Sequence, residues 1–167
     1  MKILTAFTFS TFSLVACAIA SAQTDYLKPE GLSPANGYSH VIVAKPGKMV
    51  FIAGQVANDH EGKLVGKGDL KAQTVQVFEN LKLALAAAGA SFDDVVKIGW
   101  YVKDYKPEYL PTLRDVRNQY VNSARLPTST LVGVQSLFQP DYLLEVEAIA
   151  VIPAKRTAVK KPQIGGK

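Results

Sequence analysis

The sequence predicts an α+β domain in which one mixed β-sheet carries two helices on a single face. Strand-like and helix-like segments follow one another in the order strand, strand, helix, strand, helix, strand, strand. After an apolar N-terminal segment, the remaining chain has the length of one domain, and no internal repeat interrupts it. Two helices on one face would leave the other sheet face partly apolar, which predicts oligomerisation.

The first two predicted strands are Val41–Ala44 and Met49–Val56, and both are rich in residues that favour β-structure. Lys45–Lys48 lies between them and contains a Pro-Gly pair, which favours a tight turn. We therefore expect the two strands to pair antiparallel. The following segment, Asn58–Lys67, contains glycines and several charges and is predicted to be a loop.

The first predicted helix covers Leu70–Ala88. Asp69 is a suitable N-cap, and Gly89 suits the position after the last turn, where positive φ is common. Apolar residues at spacings of three and four mark one buried face: Val77, Leu81, Ala84, Leu85 and Ala88.

The second predicted helix ends near Val121. Pro107 and Pro111 suit its first turn, where a missing N–H costs least. One side of this helix is formed by Leu110, Leu113, Val116, Arg117 and Tyr120.

Three more strands are predicted. Val95–Val102 precedes the second helix, and the alternation of a strand places Trp100 and Tyr101 on opposite faces. Thr130–Leu137 and Tyr142–Ile152 follow the helix and close the domain.

The N-terminal residues 1–22 are typical of a signal peptide. Met1–Lys2 is basic, Ile3–Ile19 is apolar, and Ala20–Ala22 is a small-residue cleavage site. A lipoprotein anchored through Cys17 is the alternative, but plain secretion is favoured because the residues after Cys17 remain apolar. Either interpretation predicts a secreted or periplasmic protein, with no membrane contact unless Cys17 is lipidated.

The formal net charge of +5 comes from the C-terminal end of the chain. Residues 155–167 contain five cationic side chains and no acidic or aromatic one. Without this segment and Lys2 the net charge is about −1. We expect 155–167 to be a disordered, solvated tail, and we expect no nucleic-acid partner because base stacking needs aromatic residues.

Pro127–Val134 and Leu143–Val151 resemble the C-terminal signature of the Rid (reactive intermediate deaminase, RidA/YjgF) family. Three more segments resemble that family in order and spacing, namely Phe51–Val56, Gln73–Gly89 and Val95–Asp104. The resemblance covers nearly all of residues 23–154, which we take as a Rid-like domain. It implies the chorismate-mutase-like fold and a homotrimer with ligand clefts between subunits.

The resemblance also implies a chemistry. Active members hydrolyse enamine and imine acids to 2-keto acids and ammonia. That reaction needs a cation to hold the substrate carboxylate, for which the planar fork of Arg is suited. It also needs a proton donor to the enamine and a positioned water, which a carboxylate can supply. No cofactor is implied.

Transferring the pocket residue by residue gives a mixed result. Glu145 matches the water-positioning Glu of the family, but Ser129, directly after Thr128, occupies the place of its carboxylate-binding Arg. Tyr38 matches a Tyr near the cleft, and Arg114 stands where an Asn is usual. Gly54 is the second-strand glycine that the motif retains. These six residues are the predicted site.

Each assignment has a structural alternative. Tyr38 could cover the sheet edge, Gly54 could serve a bulge or close strand packing, and Glu145 could be solvated or paired with a Lys. Arg114 and Arg117 on a helix surface are most often solvated charges.

Three functions remain open. The first is an extracytoplasmic enamine or imine deaminase with an altered pocket. The second, which the missing Arg favours, is a trimer that binds a small anionic metabolite without the standard activity. The third is a trimer that presents a surface or its tails to an envelope partner. His40 and His60 have no partner at metal-ligand spacing, so no metal site is predicted.

Overall fold

The computed structural model describes residues 24–154. The predicted signal segment with Cys17 and the basic tail 155–167 lie outside the described residues, so those predictions remain untested. Within the described part no helix is long and apolar enough to span a membrane.

A mixed four-stranded sheet forms the centre of the domain, in the order β3-β6-β4-β5. Strands β4 and β5 run parallel, and the other neighbours run antiparallel. The strands are β1 (Asp25–Leu27), β2 (Val41–Val43), β3 (Gly47–Gln55), β4 (Val95–Lys103), β5 (Thr128–Val134) and β6 (Leu144–Pro153).

Helix α1 covers Leu70–Ala87, almost as predicted. The Asp69 carboxylate accepts a hydrogen bond from the Ala72 N–H at 3.0 Å, which satisfies one of the free donors of the first turn. The chain leaves the helix through Gly89 at a φ of 75°. A 3₁₀ turn, Phe92–Asp94, then leads into β4.

Helix α2 is shorter than predicted and covers Tyr109–Arg117. It does not continue to Val121, because the amides of Gln119 and Tyr120 bond to carbonyls three residues back, which tightens the chain into turns. Pro111 lies in the first turn as expected, whereas Pro107 precedes the helix.

Both helices cover the same sheet face, as the sequence predicted. Alternate residues of β6 are buried beneath them, while Glu145 and Glu147 belong to the other set. Phe78 of α1 is fully buried, and its ring centroid lies 5.4 Å from that of Trp100 in β4. The core lies between α1, α2 and this face.

The predicted hairpin of the first two strands is wrong. Val41–Val43 pairs antiparallel with Asp25–Leu27 in a separate two-stranded sheet, not with β3. β1 is only three residues long, so no periodic pattern predicted it. β3 pairs instead with the distant β6.

Candidate functional site

A pocket of about 190 Å³ lies between helix α2, strands β4 and β5, and the loop that precedes β2. We call it the α2 pocket. Its lining consists of Gly37, Tyr38, Trp100, Leu110, Leu113, Arg114, Arg117, Ser129 and Leu131. Three of the six predicted site residues, Tyr38, Arg114 and Ser129, are therefore brought together here.

Arg117 is the buried cation of this pocket, with only 5% of its surface exposed. Its Nη1 donates to the Gly37 carbonyl at 2.6 Å, and its Nε and Nη2 donate to Asn118 Oδ1 at 3.3 and 2.8 Å. Burial lowers the pKa of the Arg117 guanidinium, and the charge of Arg114 lowers it further. The expectation of a solvated charge is wrong for Arg117, because the loop around Gly37 covers it.

Arg114 lies one helical turn earlier and is half-buried. Its Nη2 donates to the Asn36 carbonyl at 2.7 Å. Gly37 allows this approach, since its φ is 82° and a Cβ there would lie 3.2 Å from Arg114 Nε. The two guanidiniums thus bond to consecutive carbonyls of one turn. Among residues 24–154, neither Arg114 nor Arg117 forms an ion pair with a carboxylate.

Ser129 faces the helices, because it pairs in register with Ile98, whose side chain is fully buried. Its hydroxyl oxygen accepts a hydrogen bond from Trp100 Nε1 at 3.2 Å. Tyr38 reaches the same pocket from the loop, and its ring meets the His40 ring edge-on at 5.1 Å. Ser39 fixes that loop by donating from Oγ to the Leu126 carbonyl at 2.6 Å.

Glu145 lies on the opposite sheet face from Ser129. It pairs in register with Tyr101, whereas the next β6 residue, Val146, pairs with Trp100 and is fully buried. A Cβ on Gly54 would run into the Glu145 carboxylate, so Gly54 is the close-packed glycine at which the β3 register also shifts. Within one chain the predicted site is thus divided between two faces.

Thr128 belongs to neither group. Its Oγ1 donates to the Val96 carbonyl at 2.9 Å and so holds β5 against β4.

The sheet face without helices combines acidic and apolar residues, and we call it the open face. The Tyr101 hydroxyl donates to Glu147 Oε1 at 3.4 Å. Glu147 raises the pKa of Tyr101, followed by desolvation and the charge of Glu145. Phe51 on β3 is 72% exposed, and Met49 and Val132 are also exposed.

Sequence reasoning missed Arg117 and Trp100 as pocket residues. A signal for Arg117 was present, because Arg114 and Arg117 are spaced i, i+3 on the side of α2 that also carries Leu110 and Leu113. For Trp100 no local signal distinguished a pocket wall from ordinary core.

No metal centre is formed in this part of the chain: residues 24–154 contain no cluster of three or more His, Cys, Asp or Glu side chains. The α2 pocket offers cationic and hydroxyl groups, which suit an anion rather than a cation.

The family model described as Endoribonuclease L-PSP matches residues 29–152. This chain belongs to the Rid family. A RutC family protein of Pyrococcus abyssi is 40% identical over 117 residues, covering 70% of this chain and 87% of the relative. A crystal structure of a Rid-family protein of unknown function from Yersinia pestis has a TM-score of 0.73 and 37% identity, covering 77% of this chain and 98% of that one.

Two other Rid-family relatives carry deaminase names. The 3-aminoacrylate deaminase RutC of Acinetobacter baylyi is 31% identical over 75% of this chain and 96% of its own length. The 2-iminobutanoate/2-iminopropanoate deaminase of Dermatophagoides farinae is 28% identical over 75% of this chain and 91% of its own length. The family resemblance and the YjgF-like fold expected from the sequence are confirmed.

Proposed function

We propose that this Rid-family protein is a homotrimer that binds a small anionic metabolite in clefts between its subunits and is a poor 2-imino acid deaminase. We further propose that it works outside the cytoplasm, since its first 22 residues have the pattern of a signal peptide.

The observation that carries the proposal is the identity and bonding of Ser129. In the family resemblance this position holds the Arg that binds the substrate carboxylate. A serine hydroxyl, which here accepts the Trp100 N–H, provides neither the charge nor the bidentate fork. Losing such a partner typically weakens carboxylate binding by several kcal/mol when the charge is buried.

The cations of the pocket stand on a different wall. Arg114 and Arg117 approach it from α2, so a carboxylate held there would be turned relative to one held from β5. Because catalysis needs the reacting carbon beside the activated water, a displacement of about 1 Å costs on the order of a hundredfold in rate. The pocket therefore supports anion binding better than standard turnover.

The division of the site between two faces supports the trimer. Glu145 and Ser129 lie on opposite faces of one sheet, so a cleft containing both requires the open face of one subunit to meet the helix side of another. The exposed apolar residues of the open face would be covered in the same assembly.

A deaminase with an altered pocket is the second candidate. Glu145 is retained with Gly54 against it, and two relatives of more than a quarter identity carry deaminase names. In this case Arg114 would bind the substrate carboxylate in place of the Arg missing at position 129, and would hold the substrate in a position that allows hydrolysis.

Hydrolysis of freshly generated 2-iminobutanoate separates the two candidates. We expect turnover by the wild-type protein at least about a hundredfold below that of an Arg-bearing family member. Ser129→Arg alone should not restore turnover, because it adds a third cation beside Arg114 and Arg117. Ser129→Arg combined with Arg114→Asn recreates the family pair and should raise turnover. Wild-type turnover that matches the Arg-bearing member and is lost in Glu145→Gln would establish the deaminase instead.

A further inference from the structure

We propose that the α2 pocket is a carboxylate-binding site in which Arg114, Arg117 and the Ser129 hydroxyl together hold the anion of a small acid with an apolar body. This inference rests on the proposed function and deepens it, because it assigns the ligand class and gives roles to Arg117 and Ser129.

The first argument is charge. Buried charges in proteins are normally paired, because desolvation is costly. Arg117 is almost fully buried, remains protonated at any ordinary pH, and has a second guanidinium beside it instead of a carboxylate. Their hydrogen-bond acceptors, the backbone carbonyls of Asn36 and Gly37 and the side-chain oxygen of Asn118, offer partial charges only. An anion in the pocket would compensate both guanidiniums.

The second argument is the donor inventory. A guanidinium has five N–H groups, of which Arg114 uses one in the hydrogen bonds among residues 24–154. The Ser129 oxygen accepts from Trp100, and its own O–H has no acceptor within the described part. The lining side chains include no carboxylate and no amide. A ligand group that only accepts hydrogen bonds therefore suits this site.

The third argument is shape. The remaining walls are apolar, formed by Leu110, Leu113, Leu131 and the Trp100 ring, and the volume is about 190 Å³. An inorganic anion would leave these walls against water, whereas the hydrocarbon part of a small acid would cover them. Ser129 then acts as a donor to the carboxylate, oriented by Trp100, and Arg117 provides the buried charge.

Trp100 makes binding measurable, because it is the only tryptophan of the chain and its ring lines the pocket. The experiment titrates the purified protein with 3-methylbutanoate, with its straight-chain and aromatic analogues, and with the neutral isostere 3-methylbutanamide, and follows tryptophan fluorescence. Inorganic sulfate and phosphate serve as anions without an apolar body.

We expect saturable binding of the acids and at least about tenfold weaker binding of the amide and of both inorganic ions. Arg114→Gln and Arg117→Gln should each weaken acid binding by at least about tenfold. Arg125→Gln is the matched control, since it removes an equal charge from an exposed surface ion pair and should change little. Ser129→Ala should weaken binding, and Ser129→Arg should not strengthen it.

Structural loss is distinguished from lost binding by circular dichroism and thermal melting of each variant. If Arg117→Gln does not fold, the titration of Arg114→Gln provides the test, because Arg114 is only half-buried. No saturable response to any acid, equal affinity for acid and amide, or acid binding unchanged in both arginine variants would overturn the inference. A protein that binds no acid and also fails to turn over 2-iminobutanoate would refute this inference and leave the proposed lack of deaminase activity standing.

Discussion

At the residue scale, the unusual feature of this molecule is a pair of guanidiniums that bond to consecutive carbonyls and lack an acidic partner within residues 24–154. Ser129 in β5 is neutral, and the cations of the α2 pocket, Arg114 and Arg117, belong to helix α2. Gly37 lets the backbone approach the Arg114 side chain.

Gly37→Ala tests that approach. The substitution should lower the free energy of unfolding by about 1–2 kcal/mol because the residue has a positive φ. The contact of the added Cβ with the Arg114 guanidinium should lower it further. Gly31→Ala is the control, since its φ is also 82° but nothing lies within 4 Å of the added Cβ. Chemical denaturation should show the larger loss for Gly37→Ala, together with weaker acid binding. Equal losses would contradict the close contact.

Gly54→Ala tests the packing of Glu145. The added Cβ would occupy the place of the Glu145 carboxylate, so the side chain must move and stability should fall. In a Glu145→Ala background the same change should cost less, with a coupling of about 0.5–3 kcal/mol from a double-mutant cycle. If the stability losses of the two single variants simply add in the double variant, Gly54 is needed for its backbone conformation and not to make room for Glu145.

At the element scale, α1 is joined to the turn after α2 by one hydrogen bond. Tyr120 donates from its hydroxyl to Glu79 Oε1 at 2.9 Å, and its ring lies 5.1 Å from that of Phe78. Burial, followed by the Glu79 carboxylate, raises the pKa of Tyr120 to about 12. This contact fixes the end of the element that carries both pocket arginines.

The raised pKa predicts a pH dependence of stability. The Tyr120 hydroxyl has a higher pKa in the folded protein than in the unfolded chain, so the unfolded chain loses this proton first as pH rises. Alkaline pH therefore favours unfolding. Stability should therefore be retained below pH 10 and fall as pH rises towards 12. Tyr120→Phe should be less stable near neutral pH, by about 1 kcal/mol for the lost hydrogen bond. In denaturation experiments, the free energy of unfolding of the variant should also decrease less between pH 10 and pH 12 than that of the wild-type protein. An equal decrease in both proteins would show that other groups cause it.

At the scale of the whole molecule, the proposed assembly depends on the open face. Helices cover only one side of the sheet, and the uncovered side carries exposed apolar residues around Glu145 and Glu147. A catalytic or binding cleft that includes both sheet faces cannot form within one chain. Assembly and site formation are therefore expected to depend on each other.

Phe51→Asp tests this dependence by placing a charge on the open face. Sedimentation should show a trimer for the wild-type protein and smaller species for the variant. Val43→Asp is the control, because Val43 is 47% exposed and belongs to the separate two-stranded sheet, not to the open face or the helices. A wild-type monomer, or a Phe51→Asp protein that remains a trimer, would contradict the proposed interface.

The sequence by itself determined the features that depend on nearby residues. Asp69 and Gly89 predicted both ends of α1, because capping involves only the adjacent turn. The alternation in β6 predicted that Glu145 and Glu147 share a face. The strand and helix motifs also predicted the family, which the comparisons confirmed.

Only the tertiary structure decided the features that depend on distant pairing. β2 pairs with β1 and β3 with β6, and neither choice follows from the local pattern. Arg117 is buried because a loop eighty residues earlier in the chain lies over it. The separation of Ser129 from Glu145 follows from strand register, which is set by side-chain packing across the whole sheet and not by the residues adjacent to either one.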